Sequence, residues 1–117
     1  MSIRLTKPFL RLDDLDAGAL PAQLGVFQLA DEAEEVMYIG YGGGAQPFGL
    51  RTAIETELAR LGDAARFVRY EVTHGYLSRW EELMMVHVHD TGTTPVGNDP
   101  STVPKGRLSP ADAPTES

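Results

Sequence analysis

The side chains here that could do chemistry fall into three kinds. Tyr38, Tyr41 and Tyr70 are phenols, Arg51 is a guanidinium, and Glu81 and Glu82 are adjacent carboxylates. A phenol can position or deprotonate a water. An arginine can pair with phosphate oxygens through two hydrogen bonds. A single carboxylate can hold a magnesium ion that keeps several of its own waters. Cutting a phosphodiester draws on all three. Each residue also has a plainer reading: Tyr38 as a half-buried strand aromatic, Arg51 as a surface residue in the first turn of a helix, Glu81 and Glu82 as solvent charges, and Asn98 as a turn cap. His87 and His89 suggest a metal pair, but two apart on a helix they point to different sides. With no cysteine in the chain, thiolate sites and disulfides are excluded. Gly42-Gly43-Gly44 permits close approach by a ligand, yet no Gly-Lys-Ser/Thr follows to make a phosphate loop. The glycines read as a flexible connector.

The elements that must position these groups are short. Leu24 to Leu29 and Val36 to Tyr41 are β-rich runs joined by the acidic link Asp31–Glu35, which predicts a hairpin. From Phe48 to Leu61, the residues Leu50, Ile54, Glu57, Leu58 and Leu61 recur at helical spacing, with Glu55 and Arg60 toward solvent and Gly62 placed to stop the helix. Arg66 to Thr73 alternates as a third strand. Tyr76 to His89 predicts a second helix with a stripe of Leu77, Trp80, Leu83, Met84, His87 and Val88. The order is β-β-α-β-α, an α+β domain over 24–98. Residues 1–23 form a lead-in lying on it, and the proline-rich stretch 99–117 reads as a disordered tail.

The 117 residues suggest one domain, and no apolar run is long enough for a bilayer. Without a secretory signal, a soluble cytoplasmic protein is expected. The formal charge of −7 opposes binding to a polyanion, although eight of the ten basic residues are arginine and several fall near the hairpin and in the helices.

Gly25-Val26-Phe27, ten residues, then Tyr38-Ile39-Gly40 resembles the signature of the GIY-YIG endonuclease superfamily. The match holds at Gly25, Tyr38, Ile39 and Gly40, and departs at Phe27, where the family has tyrosine. The resemblance covers about residues 24–98 and implies a three-stranded antiparallel sheet flanked by helices. It also implies metal-dependent hydrolysis of nucleic acid, with magnesium or manganese as cofactor and nucleic acid as partner. Carried over by position, Tyr38, Arg51 and Glu81 would be catalytic, Glu81 or Glu82 would hold the metal, and Tyr41 and Asn98 would support the site. The registers are loose: an alignment from Leu50 puts Ala53 where the arginine belongs, and the strict carboxylate register lands on Val86. The alternative is a catalytically inactive member that binds nucleic acid or a protein.

Overall fold

The computed structural model describes residues 5–15, 19–44 and 46–99. Its strands are β1 (Leu10–Arg11), β2 (Gly25–Ala30), β3 (Val36–Gly42) and β4 (Phe67–Val72), and its helices are α1 (Leu50–Leu61) and α2 (Tyr76–Thr91). The strands make one antiparallel sheet in the order β1-β4-β2-β3. The fold is α+β, as expected, with four strands in place of three. The extra strand comes from the lead-in, where Leu10 pairs with Val68 and Arg11 with Phe67. Two residues are too few to show alternation in a sequence. What fixes them is contact at a distance: the Leu12 N–H donates to the Arg66 carbonyl, and Phe9 packs against Phe67 with the Arg11 guanidinium over the same ring.

The hairpin forms as predicted. Phe27 lies opposite Gly40, Leu29 opposite Tyr38, and Gly25 opposite Gly42. Its acidic link is an Asx-type turn in which the Asp31 carboxylate accepts from the Ala33 and Glu35 N–H groups. β2 lies between two partners and under both helices, so all six of its residues are buried. Alternate residues serve opposite faces. Phe27 and Leu29 join Leu50, Ala53, Ile54 and Val68 beneath α1. Val26 joins Leu5, Ile39, Leu83 and Met84 beneath α2. Leu77, expected in the α2 stripe, is instead 52% exposed.

The helix ends depend on the rest of the chain. No side chain caps the helix start at Gly49, and the N–H groups of Leu50 and Arg51 donate to the carbonyls of Gln23 and Pro21. α2 runs two residues past the predicted His89 and closes on Gly92 in the left-handed conformation. The expected connector at Gly42 and Gly43 is not loose. Gly42 continues β3 against the Gly49–Leu50 backbone, and a Cβ on Gly43 would lie 2.8 Å from the Tyr76 ring. Among the described residues, no helix is long and apolar enough to cross a membrane. The proposed tail, apart from Asp99, lies outside the described residues.

Candidate functional site: a cleft at the β3 edge

A cavity of about 420 Å³ opens where β3, the outer strand, passes between the two helices. β2 and β3 supply Phe27, Tyr38, Ile39, Gly40 and Tyr41. α1 supplies Ala53, Thr56 and Glu57, α2 supplies Trp80, and the closing loop supplies Asn98. Gly40 makes the space: a Cβ there would sit 2.6 Å from the Tyr38 ring and 2.8 Å from that of Phe27. Those two rings stand 5.8 Å apart, centroid to centroid, beneath α1.

Tyr38 is one of two phenols lining this cleft, and its surroundings hold it protonated. Burial is the main cause, reinforced by the charge of the Glu57 carboxylate and a hydrogen bond to it, and the phenol is pushed up to about 12. A base must lose its proton near working pH to be effective, so Tyr38 is set up as a donor. Glu57 is also held by Arg60, whose Nε donates to its Oε1 at 2.7 Å. The same guanidinium donates to the Gly97 carbonyl at 2.8 Å and lies 5.4 Å from the Tyr38 ring centroid. The three groups form one network clasping the closing loop to α1.

Asn98 is 9% exposed and reads the β3 edge as a strand would. Its Oδ1 accepts from Ile39 N–H at 2.9 Å, and its Nδ2 donates to the Ile39 carbonyl at 3.0 Å. Trp80 Nε1 donates to that same carbonyl at 2.9 Å. The other wall is formed by Tyr41 and Trp80, whose rings meet edge-on at 5.7 Å, and outside the lining Tyr41 stacks on Tyr76 at 5.5 Å.

Of the residues singled out in the sequence, the structure brings Phe27, Tyr38, Ile39, Gly40, Tyr41 and Asn98 to this cleft and leaves Arg51, Glu81 and Glu82 outside its lining. Gly25 lies at the far end of β2, where a Cβ would collide with the Glu71 carbonyl. Arg51 faces the lead-in, its Nε donating to the Leu20 carbonyl at 3.0 Å, with Phe48 beneath the guanidinium. Glu82 pairs with Arg79, which also grips Glu71. Residue 53 faces the cleft, as the alignment from Leu50 implies, and it is alanine. Glu57 and Arg60 are the residues the sequence reading passed over. The signal was a carboxylate sitting inside an otherwise apolar helical stripe.

A magnesium or manganese ion would need an open carboxylate here. The carboxylate lining the cleft, Glu57, is already bonded to Arg60 and Tyr38. Among the described residues, no group of three or more His, Asp or Glu side chains could hold a metal. The donor set does not fit the ion that the resemblance implies.

No curated protein matches the chain. A family profile does match it over residues 3–90, which is 88 of its 117 residues, and on that basis the chain belongs to the family described as Domain of unknown function (DUF7508).

Proposed function

We propose that this chain is a divergent GIY-YIG-like module that binds single-stranded nucleic acid at the β3 cleft and does not cut it. One observation carries the reading: the two helices present Ala53 and Trp80 to the cleft, where hydrolysis would need an arginine and an open carboxylate. Phe27 and the protonated Tyr38 support it, since neither can take a proton from water near neutral pH. The aromatic rings of Tyr41 and Trp80, which line the cleft, support nucleic acid as the ligand. Bases stack on aromatic rings with little regard to sequence, at about 1–3 kcal/mol each. With the Arg60 guanidinium engaged by Glu57 and Gly97, phosphate contacts are few, so binding depends only weakly on salt.

Trp80 is the single tryptophan and lines the cleft, so its fluorescence reports binding. Titration with single-stranded DNA and RNA is expected to quench it, with a shallow salt dependence. Tyr41→Ala should weaken binding by roughly 5- to 150-fold, the equivalent of that stacking energy. No product should appear with magnesium or manganese. Failure to bind any single-stranded or duplex nucleic acid overturns the reading in favour of a protein partner. Multiple-turnover cleavage that disappears in Tyr38→Phe overturns it in favour of a working nuclease.

A further inference from the structure

A second cavity, of about 710 Å³, lies on the α2 side of the sheet, away from the cleft. Apolar side chains, among them Leu5, Val36, Leu83 and Val86, form much of its wall. Its polar floor is Gln28 on β2 beside Arg69 on β4, directly opposite in the register. Pockets of roughly 300–1,000 Å³ that are largely apolar with a few convergent polar groups are the usual form of small-molecule sites.

Two features of that floor lack an explanation within the fold. The first is Arg69. Arg11, Arg60, Arg66 and Arg79 each hold a carboxylate. Among the described residues, Arg69 donates only to neutral oxygens: Gln28 Oε1 at 2.7 Å and the Lys7 carbonyl at 3.3 Å, with the Phe9 ring 4.2 Å from its guanidinium carbon. In a chain of net charge −7, this half-buried cation makes no ion pair within 4 Å among the described residues. Burial lowers its pKa, with Glu34 acting weakly the other way. The second is Gln28, which is only 5% exposed. Its Oε1 is taken by Arg69, while among the described residues its amide nitrogen has no acceptor. That nitrogen is not sealed from solvent, because among the described residues no fully buried side-chain polar atom is left unsatisfied. The cavity is the space it reaches.

We propose that this cavity binds a small monocarboxylate with a branched apolar body, the carboxylate accepting hydrogen bonds from Arg69 and from the Gln28 amide nitrogen. The carboxylate supplies the missing anion in the form that a guanidinium recognises best. The apolar body lies along Leu5, Leu83 and Val86. Glu35, Asp90 and the C-terminal end of α2 also line the space, all unfavourable to further negative charge. This rim selects a monoanion over phosphate esters and polyanions. His87 also lines the space, and burial lowers its pKa, opposed by Asp90, so it contributes little positive charge near neutral pH.

The test is a titration of the full chain with 4-methylpentanoate, followed by nitrogen-edited NMR at the Gln28 side-chain amide and the Arg69 Nε–H. The neutral 4-methylpentanamide and butyl phosphate serve as controls. The carboxylate is expected to shift both signals saturably, and both controls to bind at least about tenfold more weakly, the scale of a charge-assisted hydrogen bond. Arg69→Met keeps the stem and removes the charge. Gln28→Glu supplies the anion from within and should abolish binding while leaving the fold intact, so a folding defect cannot imitate the result. Equal binding of the amide, tighter binding of the phosphate, unchanged binding in Gln28→Glu, or no shift at either signal overturns the proposal.

Discussion

Replacing Asn98 separates a structural role from a chemical one. In Asn98→Ala, the buried Ile39 N–H loses its acceptor, at a cost of about 1–3 kcal/mol. The Ile39 carbonyl keeps its bond from Trp80, so losing Asn98 Nδ2 adds at most about 1 kcal/mol. The sum is about 1–4 kcal/mol, which lowers the melting temperature of a domain this size by roughly 4–32 °C. Asn98→Asp is the sharper probe. One oxygen can still accept from Ile39 N–H, but the other faces the Ile39 carbonyl oxygen where a donor stood. The introduced carboxyl should therefore have a raised folded-state pKa. Its stability is highest below the unfolded carboxylate value of about 3.9 and falls as pH rises toward the folded value. Thermal unfolding followed by circular dichroism between pH 3 and 7 measures both effects. An alanine variant within about 0.5 kcal/mol of the parent, or an aspartate variant that gains stability with rising pH, would refute the account of Asn98 as the clamp on the β3 edge.

Two further outcomes follow from the cleft. With its phenol pushed up to about 12, Tyr38 should stay protonated in an absorbance titration carried past the ordinary phenol value of ~10, and Glu57→Gln should bring it down toward that range. Because this folded pKa is raised, its contribution to stability is complete below pH ~10 and is lost as pH climbs from there toward the folded value. Ionisation of Tyr38 near the ordinary phenol value of ~10 would show that it is solvated. Gly40→Ala places a Cβ between the Tyr38 and Phe27 rings and is expected to cost about 1–3 kcal/mol, by overpacking, in urea unfolding. A neutral result there would mean that the rings yield easily and that the glycine is not what opens the cleft.

The sequence by itself determined the elements. Apolar β-rich runs over 24–29 and 36–41, alternation over 66–73 and helical spacing over 48–61 and 76–89 follow from which faces must be apolar, and all are written in consecutive residues. The hairpin, the α+β class and the approach of Tyr38 to Phe27 were legible for that reason. Only the tertiary structure decided which charges meet. Successive helix residues are rotated by about 100°, so the phase of α1 against the sheet turns Glu57 into the cleft and Arg51 toward the lead-in. Nothing in the local pattern fixes that phase to one residue. The fourth strand, the Arg60 clasp and the Gln28–Arg69 pair join positions distant in the chain, and Asn98 meets Ile39 across 59 residues. A polar side chain looks the same in sequence whether water or a distant backbone satisfies it. The packing of the layers settles that choice, because burial leaves its hydrogen bonds nowhere else to go.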